Sequence, residues 1–278
     1  MPSTTDEPNT RLRGIIPVLP TPFPEDGSLD LESLDRLIEH ALTWKAGGLA
    51  ILEVASEVEK LNAGEYTAIA ERAARKIANK VPLVVGVSGA NTKAAAQSAA
   101  IARRAGAHAV FAKAPAASRA EAAEAEVLDY YLTIAQAADL PVMVQNFALA
   151  NGESGVISMD ALTRVVRADH RIQHVKEETP PPAGNGKITQ IKRALGERVT
   201  ILSGLGGITL VDDLRRGATG NIPGAVLVRA LISIYECYRQ GKEEEADRLQ
   251  PVRPLVRARA PRRTGRAAPS CGAAHGPP

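Results

Sequence analysis

Aromatic side chains are almost missing from this chain: tryptophan, tyrosine and phenylalanine together supply 3% of its 278 residues. Any core it builds must be aliphatic and rich in alanine. Cysteine is equally scarce. Cys237 and Cys271 are the two present, and neither their number nor their spacing fits a disulfide framework or a zinc site. The five histidines are scattered and form no metal-site motif, so no metal is expected. No apolar run is long enough to span a bilayer, and the polar, partly acidic opening does not read as a secretory leader. A strong charge imbalance is missing too. The formal net charge is +3, and most of the basic excess lies near the C-terminus, so neither nucleic acid nor membrane is expected as a partner. A reducing cytoplasm is the default location, and no cofactor is implied.

What remains is a globular composition, 45% hydrophobic, on a chain long enough for one large core. Short apolar runs alternate with helical periodicity along it. The runs Gly14–Pro20, Gly47–Val54, Val81–Val87, Ala109–Lys113, Pro141–Phe147, Ile172–Thr179, Val199–Gly204 and a weaker Gly220–Gly224 predict strands. Amphipathic stretches follow them. Leu34, Leu37, Ile38 and Ala41, for example, fall on one helical face behind Asp30, a capping residue. Eight such alternations are the beat of an α/β fold of the (β/α)8 TIM-barrel type, as a single domain over residues 12–249. A doubly wound open sheet is the rival. It would carry a glycine-rich turn after the first strand, where this chain has Pro20 to Pro24. Residues 1–11 read as a disordered lead and 250–278 as an irregular basic tail.

In such a barrel, chemistry sits where the strands meet the loops that follow them. Lys176 lies near the C-terminal end of the sixth run, followed by Glu177 and Glu178. A buried ammonium loses hydration, so its pKa is expected to fall and free the amine as a nucleophile toward a ketone or aldehyde. The plainer reading is a solvated lysine at a strand end, paired with Glu177 or Glu178. His174 shares a strand face with Lys176 and reads as a satisfied core histidine.

Several segments, in order, resemble the dihydrodipicolinate synthase / N-acetylneuraminate lyase family of class I aldolases. They are Gly14–Phe23, Glu57–Glu65, Pro82–Asn91, Ala105–Val110, Leu140–Val144, Val175–Glu178 and Leu202–Gly204. The resemblance implies a Schiff-base lyase or aldolase acting on a 2-keto acid such as pyruvate or a 2-keto-3-deoxy sugar acid. Lys176 would form the imine, with Gln145 and Glu57 as the other catalytic positions. Val54, Ala55, Ser56, Lys113, Asn146, Glu178, Ser203 and Ile222 would bind substrate. The small-molecule keto acid is the expected partner, on a homodimer or homotetramer.

The chain departs from the family pattern at several of these positions. Val54 and Ala55 stand where the family carries two threonines, and Gln145 where it carries a strand-end tyrosine. Ala116 and Ala117 replace a tyrosine pair, and Ala148 to Glu153 offer no arginine for the substrate carboxylate. All five tyrosines fall in predicted helices, so none can restore the lost proton relay from a strand end. Glutamine orients and hydrogen-bonds but transfers no proton as a phenol does. Glu53, Ser56, Glu57 and Glu178 put replacement oxygens near the mouth, where a carboxyl raised by burial or by a like neighbour would be a workable general acid, although Glu53 and Glu57 are expected as solvated loop charges. Lys113 could lower the pKa of Lys176 by repulsion, or bind the substrate carboxylate. Gly204, Gly206 and Gly207 read as backbone room. The alternative function is a catalytically degenerate keto-acid binder on the same fold. After Leu249 proline recurs and leucine nearly vanishes, which suits a basic arm, a disordered end or a slipped reading frame.

Overall fold

The computed structural model describes residues 11–115, 122–147, 156–180, 184 and 186–250. Eight strands form: β1 Gly14–Ile15, β2 Leu49–Ile51, β3 Leu83–Gly86, β4 Ala109–Lys113, β5 Val142–Phe147, β6 Ile172–Glu178, β7 Thr200–Ser203 and β8 Gly220–Asn221. Helices alternate with them: α1 Leu31–Leu42, α2 Ala63–Ile77, α3 Thr92–Ala105, α4 Ala122–Ala138, α5 Met159–Ala168, α6 Lys187–Leu195, α7 Leu210–Arg215 and α8 Val228–Arg239, with α9 Glu243–Leu249 after them. All strand pairs are parallel, in the order β1-β8-β7-β6-β5-β4-β3-β2. The two ends of that order meet. Val18 bridges both Ala50 and Gly224. The Leu19 N–H donates to Ala50 O at 2.8 Å, and the Ala50 N–H donates to Pro17 O at 2.9 Å. The sheet is therefore a closed barrel with no free edge.

Helix starts follow local chemistry. The side chains of Asp30, Asn91 and Ser158 each accept a first-turn N–H, and Asn62 with Glu65 closes a reciprocal capping box. Because successive side chains on a strand point to opposite faces, each strand feeds two cores. Ile51, Val85, Val110, Val144, Val175 and Ile201 pack outward against the helices. Ile16, Val18, Ala50, Val84, Ala109, Phe111, Met143, Leu202 and Ile222 fill the barrel interior. The three most buried tyrosines bind helices to strands. Tyr66 donates to Gly86 O at 2.8 Å, Tyr131 donates to Ala112 O at 2.9 Å, and Tyr130 accepts from Gly89 N at 3.1 Å. Burial raises all three phenols above the usual range. As expected from the sequence, every tyrosine sits on a helix.

Helix α9 is absent from the sequence expectations, and the reason is physical. Its first turn is Glu243, Glu244 and Glu245, and it buries Ala246 alone, so it has no apolar period to detect. Arg215 of α7 holds it through Glu243 and Asp247. The Gln250 side chain adds bonds to Val211 N, Gly207 O and Ile208 O. The expectations for residues 1–10 and for the tail after Gln250 lie outside the described residues.

Strand register stacks the interior in layers. Phe111, Met143, His174 and Thr200 are mutual neighbours across β4 to β7. One layer toward the strand ends, Lys113, Gln145, Lys176 and Leu202 repeat the arrangement. His174 is fully buried and pairs through Nδ1 with the Thr200 hydroxyl, while its Nε2 has no hydrogen-bond partner among the described residues. Burial, and secondarily the charge of Arg11, lowers its pKa to about 4. A histidine whose folded pKa lies below its unfolded value binds more protons when unfolded. Its contribution is therefore present above the unfolded pKa of about 6.5 and lost as pH falls toward 4. Asp213, which burial raises to about 6, acts with the opposite sign over part of that window. The comparison that isolates His174 is thus between wild type and His174→Gln, in which Asp213 is common. Urea unfolding at pH 7 and pH 4.5 should show wild type losing about 2–3 kcal/mol more than the variant. Equal losses would count against the assignment.

Candidate active site

Lys176 is 2% exposed and points into the barrel near the C-terminal end of β6. Its Nζ lies 2.7 Å from Glu178 Oε2, two residues on and on the same strand face. It also sits 5.7 Å from the centre of the Phe111 ring, which closes the floor beneath it. Gln145, its neighbour on β5, donates through Nε2 to the same Glu178 oxygen at 2.8 Å. The other carboxylate oxygen of Glu178 accepts from the Leu205 N–H at 3.3 Å. Glu53, at the end of β2, completes the cluster. It is 4% exposed, and its carboxyl interacts electrostatically with Lys176, Glu178 and Gln145.

Backbone geometry delivers these groups. Leu52 takes a left-handed conformation at φ 59° and turns the chain at Glu53, which costs a non-glycine residue about a kcal/mol or more. Gly86 on β3 makes that turn fit, because a Cβ there would lie 2.1 Å from Leu52 O. Gly204 does the same for Glu178. A Cβ at Gly204 would stand 2.0 Å from Glu178 Cγ and 2.2 Å from its Oε1. Leu205, also left-handed at φ 51°, then aims its N–H at that carboxylate. The expectation of backbone room at Gly204 thus has a specific occupant, the Glu178 side chain.

The electrostatics correct one expectation. Burial does act to lower the Lys176 pKa and is the largest single influence on it, but the charges of Glu178 and Glu53 outweigh it, and the pKa is raised. Lys176 rests as an ammonium. Glu53 is pushed the other way: burial raises its pKa, and only partly do Lys176 and Gln145 oppose this. Lys176 is thus held toward its ammonium form, and burial presses Glu53 toward its protonated form. Lys113 is not what tunes Lys176. Its ammonium lies over the Phe147 ring, 5.7 Å from the centre, and its N–H donates to the Ser88 hydroxyl.

The remaining expected site residues separate into two groups. Lys176, Gln145 and Glu178 come together, and Ile222 faces the same interior. Glu57 does not join them: its side chain is half exposed and pairs with Lys60. Ser56 is buried, but its hydroxyl donates to Leu19 O at 2.7 Å, fixing the loop after β2 to the end of the first run. Val54 is half-buried and Ala55 exposed in the same 3-10 turn. Asn146 faces outward and spends its side chain on Glu177 at 2.7 Å and Ile157 N at 3.0 Å. Ser203, on the same outward parity, accepts from Asn221 at 2.9 Å. These last two brace the strand ends from behind. Glu53 is the site residue the sequence misplaced, expected as a solvated charge and found buried. Its only sequence signal was its place at the end of an apolar run. The positions Ala116, Ala117 and Ala148 to Glu153 lie outside the described residues. Among the described residues no group of acidic, histidine or cysteine side chains could hold a metal, and no helix is long and apolar enough to cross a membrane.

Comparison with known proteins gives one consistent picture. The model of the dihydrodipicolinate synthetase family matches residues 11–262. An L-2-keto-3-deoxyarabonate dehydratase from Azospirillum brasilense is 31% identical over 255 residues, covering 91% of this chain and 81% of that protein. A 4-hydroxy-tetrahydrodipicolinate synthase from Gluconacetobacter diazotrophicus is 29% identical, covering 87% and 81%. Among solved structures, dihydrodipicolinate synthase from Rhodopseudomonas palustris superposes with a TM-score of 0.78 at 27% identity, covering 88% of this chain and 81% of that one.

The packing of Gly204 against Glu178 can be measured as a coupling. Gly204→Ala should cost about 1–3 kcal/mol in denaturant unfolding through overpacking. In a Glu178→Ala background the added methyl has space, and the cost should shrink by at least about 1 kcal/mol. An unchanged penalty would show that the two positions are independent.

Proposed function

Since the chain belongs to the dihydrodipicolinate synthetase family, we propose that it is a Schiff-base lyase whose substrate is a 2-keto-3-deoxy sugar acid, with Lys176 as the nucleophile. The observation that carries this reading is the buried Lys176–Glu178 pair at 2.7 Å. A carboxylate at that distance can take the ammonium proton and release the amine. The amine adds to the C2 carbonyl, and the proton returns to the carbinolamine oxygen, which leaves as water. The product is a protonated imine, and Glu178 is again a carboxylate. It then faces a carbon acid, because the imine draws electrons from the C3–H bond. Gln145 holds Glu178 in place by its N–H and transfers no proton.

Two features favour a sugar acid over the condensation of pyruvate with an aldehyde. A chain without a strand-end phenol has lost the usual proton relay, and the described tyrosines are engaged on strand and loop backbone or lie on α8. The Azospirillum relative is named for a 2-keto-3-deoxy sugar acid. The degenerate keto-acid binder stays as the second reading, favoured by the aliphatic Val54 and Ala55 in the loop after β2. We take the protein to work in the cytoplasm as a homodimer or homotetramer.

Borohydride reduction in the presence of pyruvate should leave a mass adduct on the peptide containing Lys176, and Lys176→Ala should abolish it. Glu178→Gln should slow imine formation by about 10²–10⁴-fold. Steady-state release of product from 2-keto-3-deoxypentonic and hexonic acids then separates the enzyme from the binder. An imine without turnover on any of them selects the binder.

A further inference from the structure

Two buried oxygens in the Lys176 cluster have no hydrogen-bond partner among the described residues: Oε1 of Glu53 and Oε1 of Gln145. Their residues are 4% and 1% exposed. A buried polar atom left unpaired costs about 1–3 kcal/mol, so two at one place need a physical account. The Glu178 carboxylate is already fully engaged. Gln145 Nε2 serves Glu178, and the Glu178 oxygens serve Lys176, Gln145 and Leu205 N. The unpaired Gln145 oxygen therefore stands beside a carboxyl whose burial favours its protonated form. An acceptor next to an acid suits a ligand hydroxyl, which can donate to one and be protonated by the other.

Resting on the Schiff-base reading above, we propose that Glu53 is the general acid that expels a hydroxyl from C4 of the imine-bound substrate, and that Gln145 Oε1 receives that hydroxyl's hydrogen bond beforehand. The assignment makes the reaction a dehydration. Glu178 removes a proton from C3, the C–H electron pair forms C2=C3, and the imine pair moves onto nitrogen. The nitrogen pair then restores C2=N, the C2=C3 pair moves to C3=C4, and the C4–O bond breaks with its electrons on oxygen. That oxygen takes the Glu53 proton and leaves as water. The elements lost are one C3 hydrogen and the C4 hydroxyl. The proton held on Glu178 passes to solvent, and Glu53 regains one from solvent. No oxidant, reductant or metal is required.

This use of Glu53 explains features the nucleophile alone does not. Imine formation needs Lys176 and Glu178, whereas Glu53 is brought in at the expense of a left-handed Leu52 and a glycine at Gly86. A second ionised carboxylate beside Glu178 would only make the amine harder to release. An acid whose burial favours the protonated form can instead supply the proton that a hydroxide leaving group demands.

Glu53→Gln preserves volume and hydrogen bonding but has no proton to give. In the full-length protein it should keep the borohydride adduct with pyruvate at Lys176 to within about 3-fold, while kcat for a 2-keto-3-deoxypentonic acid falls about 10²–10⁴-fold. The same substrate with fluorine in place of the C4 hydroxyl needs far less acid assistance, so its fluoride release should fall less than about 5-fold. Equal losses on the hydroxy and fluoro substrates would overturn the proposal and make Glu53 a positioning residue. So would loss of the pyruvate adduct in Glu53→Gln. Absence of the adduct in wild type would instead reject the Schiff-base reading itself, and this proposal with it.

Discussion

One ammonium enclosed with two carboxyl groups inside a closed barrel sets the terms for the rest of this molecule. Isolated burial of Lys176 would be prohibitively costly, since a charge of this size loses several kcal/mol of hydration even after relaxation. Glu178 offsets that cost at 2.7 Å. A second full negative charge would then be in excess, and burial drives Glu53 toward its neutral form. The cluster therefore holds the Lys176 nitrogen toward its protonated state, and burial presses the Glu53 carboxyl the same way. The pairing raises the resting pKa of Lys176 against the pull of desolvation.

The barrel serves that charge balance through its backbone. Parallel register puts Gln145 beside Lys176, and strand parity puts Glu178 on the same face two residues later. Residues one position away point the opposite way. Glu177, Asn146, Ser203 and Asn221 accordingly form a second polar set behind the strands, where they bond one another and the loops. Missing side chains matter as much as present ones. Gly204 leaves the space Glu178 occupies, and Gly86 leaves the space through which the Leu52 backbone passes. The scarcity of aromatic residues fits the same picture. Phe111 is enclosed beneath the amine, and three tyrosines lash α2 and α4 to the strand and loop backbone.

Much of the architecture was legible in the chain, because hydrophobic periodicity reports burial directly. Strands such as Ala109–Lys113 and Val142–Phe147 match their apolar runs closely. Helix α9 was not legible, since seven residues held by ion pairs to Arg215 carry no apolar stripe. At the site, Lys176 and Glu178 could be singled out as charge at the end of an apolar run, and Gln145 through the family resemblance. Glu57 and Glu53 could not be told apart. Both are acidic, and both stand near the end of the same run. The left-handed turns at Leu52 and at Glu57 itself send one carboxyl into the barrel and the other to solvent, where Lys60 meets it.

Sequence alone determined the alternation of elements, the lysine at the end of the sixth strand, and the absence of a phenol able to relay protons there. Those properties depend on residue type and local order, which the chain carries explicitly. Tertiary structure decided which carboxyl groups are dry, which one bears the charge, and which way the lysine pKa moves. These depend on distances between residues more than a hundred positions apart, such as Glu53 and Lys176, and on space left by glycines on neighbouring strands. Desolvation and Coulomb interaction are set by that enclosure, and no one-dimensional pattern encodes it.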